Sequence, residues 1–104
     1  MDFNGLLDYM VEKKASDLFI TADVEPSIKI NGQILPIGSV KLPGAAVGQL
    51  LHSIMTEKQR KEFADSREWN FAISTPDKSA RFRVSAFQQR DQPGMVLRRI
   101  ETVI

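Results

Sequence analysis

Arginine is the residue type with the clearest potential for chemistry in this chain, because five of the seven arginines lie within residues 80–100. That stretch reads ARFRVSAFQQRDQPGMVLRRI and contains no lysine. Its first half alternates, with Phe82 and Val84 facing one way and Arg81, Arg83 and Phe87 the other. A period of two predicts a β-strand with one buried face. We therefore expect the arginines of this strand to lie on its less buried face.

A second strand is expected at residues 95–100, after a turn in residues 89–94 that includes the pair Pro93-Gly94. If Gln88 faces Pro93 across an antiparallel hairpin, the same register places Arg83 opposite Arg98. Residues that face each other in an antiparallel pair share one side of the sheet. The sequence thus predicts two arginines side by side on one face.

Two facing cations are unfavourable unless an anion lies near them. The planar guanidinium group suits either a carboxylate of the same domain or a phosphate brought from outside. The internal alternative is a set of salt bridges, for which Asp17, Glu68 and Glu101 are the candidate partners. Both alternatives are open at this point.

Other catalytic and metal-binding arrangements are not found in the sequence. There is no cysteine, and the one histidine, His52, is expected on the exposed side of a helix without a second residue to form a metal or nucleophile site. The glycines are scattered, and none precedes the Lys-Ser/Thr pair of a phosphate-binding loop. We therefore expect no enzymatic activity, no metal site and no cofactor site in this chain alone.

Composition indicates one small globular domain of 104 residues with a net charge of +1. This balance argues against a general nucleic-acid binder, although residues 80–100 carry a net +4. No apolar run approaches the roughly 20 residues needed to span a bilayer, and the N-terminus lacks the basic region of a signal peptide. The chain is expected to be cytoplasmic, without insertion into the membrane.

Periodicity predicts the order αβββααβββ, and hence an α+β domain with an antiparallel sheet of about six strands and helices packed on it. Phe3, Leu6, Leu7, Met10 and Val11 form one stripe of a first helix, and a second stripe runs from Val47 to Met55. Asn31-Gly32 predicts a type I′ hairpin turn. Thr56 and Gln59 form the capping box of a third helix.

Several separated motifs carry a family resemblance over residues 3–102. They are ASDL at 15–18, PSIKING at 26–32, ARFRVSAF at 80–87 and MVLRRIET at 95–102. In this order they resemble the N-terminal domain of the type IV pilus retraction ATPases, the PilT/PilU family. Phe19 stands where PilT-like chains usually have histidine, and the ending MVLRRIET is PilU-like, so the resemblance is strongest to the PilU branch of that family.

The resemblance implies a PAS-like fold for a single N-terminal domain at residues 1–104, with the ATPase domain and its P-loop beyond Ile104. It implies a hexameric motor for pilus retraction and twitching motility at the cytoplasmic face of the inner membrane, using ATP and Mg²⁺. A PilT-type ATPase and the inner-membrane platform protein of the pilus are the implied partners. Arg83 and Arg98 would act in trans as arginine fingers on ATP bound by a neighbouring subunit's ATPase domain.

A different class of function is a stand-alone PAS-like module for ligand sensing or protein docking, with a ligand enclosed between sheet and helices. Single-stranded nucleic-acid binding is a third class. It requires aromatic residues among the basic ones, and Phe87 is the only aromatic residue expected on the face of Arg83.

Overall fold

The computed structural model describes residues 3–76 and 78–100. Its elements follow the predicted order. They are α1 (Phe3–Glu12), β1 (Asp17–Thr21), β2 (Ser27–Ile30), β3 (Gln33–Pro36), α2 (Gly44–Ser53), α3 (Glu57–Ser66), β4 (Glu68–Ser74), β5 (Arg81–Gln89) and β6 (Gln92–Ile100). The strands form a single antiparallel sheet in the order β3-β2-β1-β6-β5-β4. The predicted PAS-like α+β fold is confirmed.

This strand order joins two three-stranded meanders at the centre of the sheet. β1 to β3 form one meander and β4 to β6 form the other, and β1 pairs with β6 over the five positions from Asp17↔Arg98 to Thr21↔Gly94. Consecutive strands of each meander need only short turns or loops, whereas the central pairing joins residues about eighty positions apart in sequence. β6 is therefore hydrogen-bonded on both sides, by β1 and by β5.

The three helices cover one face of the sheet and leave the other open. Buried side chains of α1, α2 and α3 form one cluster with alternate residues of the strands, which include Leu18, Ile28, Phe82, Val84 and Leu97. As predicted, α1 buries Phe3, Leu6, Leu7 and Met10 in this cluster. α3 buries only Phe63, consistent with its polar sequence, and it begins with the predicted capping box of Thr56 and Gln59. The residues between the buried ones on each strand point to the face that no described helix covers, which we call the open face.

The turn of the arginine hairpin lies within the predicted residues 89–94 but is shorter. Arg90 and Asp91 form it alone, with φ of 54° and 62°, so β6 begins at Gln92 and already includes Pro93. Pro93 fits because Gln88 and Pro93 face each other without bonding. The Gln88 N–H donates instead to the Arg67 carbonyl at 3.0 Å. Pro93 has no N–H, and its nitrogen faces the side of β1. Because β1 has already ended at Thr21, no ladder bond is lost there.

Gly94 has a role inside β6 rather than in the turn. A Cβ atom placed on Gly94 would lie 2.6 Å from Cε2 of Phe87, which faces it on β5. The glycine therefore leaves room for the Phe87 ring to lie over the open face. Pro-Gly was a misleading turn signal because both residues serve the packing and the hydrogen-bond pattern of a strand.

Candidate functional site

The strand registers place four charged residues in one row across the open face. Arg83 on β5 faces Arg98 on β6, Arg98 faces Asp17 on β1, and Asp17 faces Lys29 on β2. We call these four residues the charged row. Neighbouring strands are about 4.8 Å apart, so the charged row spans roughly 14 Å across four strands. It carries three cations and one carboxylate.

The predicted register of the arginine hairpin is confirmed, with Gln88 opposite Pro93 and Arg83 opposite Arg98. Both arginine side chains are exposed, and that of Arg98 is 72% exposed. Within residues 3–76 and 78–100, no carboxylate oxygen lies within 4.0 Å of Arg83. The pair therefore presents two guanidinium groups to solvent from a rigid, central part of the sheet.

Asp17 is the internal partner of Arg98. Oδ2 of Asp17 lies 3.6 Å from Nη2 of Arg98, and the Asp17 side chain is only 10% exposed. A nearly buried carboxylate in contact with an exposed guanidinium limits the movement of the guanidinium group. The guanidinium group nevertheless stays in solvent. The internal-salt-bridge alternative thus holds for Arg98 with Asp17, and this contact leaves the outer side of the guanidinium accessible.

The other candidate carboxylates do not pair with the hairpin arginines in the described structure. Glu68 is exposed and faces Phe87, at the other end of β5 from Arg83. Glu101 lies outside the described residues. Arg81 and Arg90 are exposed, whereas Arg99 is half-buried.

Lys29 was not singled out by the sequence analysis, and it lies in the charged row. Its placement depends on β2, β1 and β6 being neighbours, and no local pattern reports that order. The Lys29 carbonyl accepts the Ser16 N–H at 2.9 Å and the Ser16 hydroxyl at 3.4 Å, so the backbone here is tied to the start of β1. The one signal in the sequence was the alternation in PSIKING, which places its lysine between two isoleucines and therefore on the opposite face of the strand.

A shallow hollow of about 470 Å³ lies at the β1, β2 and β6 end of the charged row. Its lining includes Lys14, Lys29, Arg98 and Arg99 around Asp17. Four cations against one carboxylate give this hollow a net charge of +3. Such an excess favours anions, and arginine and lysine are the common phosphate-binding side chains.

A second, apolar groove lies on the helical side of the domain. It measures about 740 Å³ between α1, α2 and the segment that follows β3, and its lining includes Leu6, Tyr9, Val40 and Leu50. The ligand-sensing alternative would enclose a ligand between sheet and helices, but the side chains of the core cluster occupy that space. The groove is instead open to solvent beside the helices.

The described residues contain neither a metal-binding cluster nor a membrane-spanning helix. Among residues 3–76 and 78–100 there is no group of three or more histidine, aspartate or glutamate side chains that could hold a metal ion, and His52 is exposed. In the same ranges, no helix has the length and apolar character to cross a bilayer.

Comparisons with known proteins agree on one family. No family model matches the chain. Over all 104 residues it is 52% identical to the type IV pilus ATPase PilU and 36% identical to the retraction ATPase PilT, both of Pseudomonas aeruginosa. The chain covers 27% of the PilU sequence and 30% of the PilT sequence, so it spans less than a third of these relatives.

Solved structures show the same relationship. The structure of the pilus retraction motor PilT with bound ADP superposes with a TM-score of 0.90 and 25% identity, over 100% of this chain and 30% of that one. The Legionella pneumophila ATPase DotB shares the fold, with a TM-score of 0.77 and 21% identity over 99% of this chain and 31% of that one.

Proposed function

Because this chain is the N-terminal domain of a PilT/PilU-type ATPase, we propose that it works in a type IV pilus retraction motor. In the full-length protein, Arg83 and Arg98 contact ATP bound by the ATPase domain of a neighbouring subunit. The open face is the surface that meets the nucleotide. The observation that carries this proposal is the pairing of two exposed arginines at the centre of that face.

The chemistry required of the arginines is electrostatic. During phosphoryl transfer, negative charge on the transferred group is neutralised by cations, and an arginine supplied from another subunit contributes about 10³ to 10⁵ in rate in well-studied ATPases and GTPases. Arg83 has no described carboxylate partner to compete with a phosphate. Arg98 is held by Asp17 but exposes most of its side chain. A rigid pair of this kind loses little entropy when it binds a phosphate.

A ring-shaped assembly is part of this proposal. A neighbouring subunit must bring its nucleotide to the open face, and a closed ring of six subunits gives every nucleotide one such partner. Mg²⁺ bound with ATP belongs to the ATPase domain. Movement of this domain against its neighbour then couples hydrolysis to pilus retraction at the cytoplasmic face of the inner membrane. A PilT-type ATPase and the membrane platform protein of the pilus are its further partners.

Mixing subunits tests the role of the arginines directly. Full-length subunits that carry Arg83→Ala and Arg98→Ala together are mixed in increasing fractions with full-length subunits whose P-loop is disabled, and ATP turnover is measured at saturating ATP. Each kind of subunit should be nearly inactive alone, and the mixtures should regain turnover, because the P-loop variants supply arginines to the intact nucleotide sites of their neighbours. ATP binding should change far less than turnover.

The matched control is Arg90→Ala, which removes an exposed arginine from the hairpin turn and leaves the charged row intact. Arg90→Ala subunits should retain wild-type turnover without a second variant. Mixtures of the double variant with the P-loop variant that stay inactive would contradict action across subunits. Wild-type turnover by the double variant alone would show that the two arginines are not needed for hydrolysis.

The apolar groove favours a second candidate function, docking or sensing of an apolar ligand. Its lining is mostly apolar and Val40 within it is 70% exposed, so an apolar ligand in the groove would remove this side chain from water. If this function holds, an apolar ligand should raise the melting temperature of the chain, and Ala46→Arg in the groove lining should abolish the shift. Absence of any such ligand effect leaves the motor function as the only one supported.

A further inference from the structure

We propose that Lys29 is a third phosphate-contacting residue of the open face, so that the charged row binds an extended polyphosphate chain that lies across the strands. This inference rests on the proposed function, since it specifies which anion the surface takes. It adds two points to the proposed function. Strand β2 contributes to the anion site, and the site prefers several linked phosphates to a single phosphate.

The first argument is position. Lys29 lies two strands from Arg98 and three strands from Arg83, on the same face and in the same cross-strand row. The outermost cations of the row are therefore separated by roughly 14 Å at the backbone, more than one phosphate can bridge. A ligand that uses all three cations must carry negative charge along its length.

The second argument is charge. Lys29 faces Asp17, but Asp17 is paired with Arg98, and no carboxylate oxygen lies within 4.0 Å of the Lys29 ammonium group in residues 3–76 and 78–100. The hollow beside these residues has the net charge of +3 described above. A lysine ammonium is a compact charge on a flexible stem, which suits a phosphate whose exact orientation is not fixed.

The third argument is rigidity. Ser16 binds the Lys29 carbonyl through both its backbone N–H and its hydroxyl group, so the start of the side chain is fixed relative to Asp17. The Lys29 residue is only partly exposed, as is common for a lysine whose aliphatic stem packs on a surface while its ammonium group stays in solvent. Asp17 thus stands between two cations, and it holds one of them in place.

Binding of inorganic phosphates to the 104-residue chain tests the inference without the ATPase domain. The dissociation constants of tripolyphosphate and of orthophosphate are measured by titration calorimetry at low ionic strength, where surface charges are least screened. We expect tripolyphosphate to bind at least tenfold more tightly than orthophosphate. We expect Lys29→Gln to weaken tripolyphosphate binding about fivefold or more, while Lys29→Arg retains it.

The matched control is Lys61→Gln, which makes the same change of charge at an exposed site on α3, on the opposite side of the sheet. It should change tripolyphosphate affinity less than twofold. Equal losses in the two glutamine variants, or equal affinities for tripolyphosphate and orthophosphate, would overturn the inference. Melting temperatures of all variants confirm that each is folded.

The outcome is separable from that of the subunit-mixing experiment. If mixtures show action across subunits but Lys29→Gln binds tripolyphosphate like the wild type, the motor proposal stands and the role of Lys29 is rejected. If tripolyphosphate binding depends on Lys29 but the mixtures stay inactive, the anion surface stands and the supply of arginines in trans is rejected.

Discussion

Asp17 is the one buried acidic residue among residues 3–76 and 78–100, and it lies against the most exposed arginine of the central strands. Burial of a carboxylate is costly unless a cation compensates it. Arg98 provides that compensation at 3.6 Å. The same contact therefore serves stability, through Asp17, and the anion surface, through the accessible side of Arg98.

A double-mutant cycle measures this contact. Asp17→Asn and Arg98→Gln should each lower the free energy of unfolding by about 1 kcal/mol, the range found for partly exposed ion pairs and their hydrogen bonds. The double variant should lose less than the sum of the two, because each single change already removes the pair. Urea unfolding provides the free energies. Fully additive losses would show that the 3.6 Å contact contributes nothing to stability.

At the scale of elements, the two tight hairpin turns differ in how well their sequences fit. Asn31-Gly32 has φ of 51° and 80°, and its residues suit positive φ. Arg90-Asp91 has φ of 54° and 62°, which aspartate tolerates but arginine rarely adopts. The first turn was predicted from its residues. The second was predicted too long because Pro93 and Gly94 were assigned to the turn, although both belong to β6.

Two glycine-to-alanine changes should have opposite effects. Gly32 has positive φ with no atom within 4 Å of an added Cβ, so Gly32→Ala should cost about 1 kcal/mol from backbone strain alone. Gly48 lies inside α2 at ordinary φ with Pro93 Cγ at 3.7 Å, so Gly48→Ala should stabilise the chain by up to about 1 kcal/mol. Thermal unfolding distinguishes them. Equal losses of stability in the two variants would show that the positive φ of Gly32 is not the cause of its loss.

The elements that were predictable from sequence are those that depend on nearby residues. The helix stripes, the capping box of Thr56 and the facing of Arg83 and Arg98 all follow from spacings of fewer than twenty residues. The pairing of β1 with β6 joins Asp17 to Arg98 across about eighty residues, and periodicity carries no information on that pairing. Asp17 could therefore be named as a candidate partner but not assigned, and Lys29 was missed.

At the scale of the whole molecule, the helix-covered face of the sheet carries the residues that stabilise the fold. The open face carries the residues that we propose to contact a ligand. Neighbouring residues of β5 illustrate this. Phe82 is fully buried in the core cluster beneath the helices, whereas Arg83 is exposed on the open face. Substitutions one residue apart should therefore affect different properties of the protein.

Phe82→Ala should lower the free energy of unfolding by about 3 to 5 kcal/mol, because it leaves a cavity in a packed core. A domain of this size has a total stability of about 5 to 15 kcal/mol, so the variant should be close to unfolding in modest urea concentrations. Arg83→Ala should change the same quantity by less than about 0.5 kcal/mol. Comparable destabilisation by both would mean that Arg83 is part of the fold rather than free for a ligand.

The position of β6 also determines how the domain responds to mechanical load. β6 is bonded along both edges, so a pull at Ile100 along the strand must shear the ladders with β1 and β5 together. An edge strand such as β3, pulled away from the sheet, would instead peel one bond at a time. Arg98 lies two residues from Ile100 on this doubly anchored strand. Tension at Ile100 would therefore move the domain as a rigid body. The guanidinium groups would move with the domain, and the distance between them would not change.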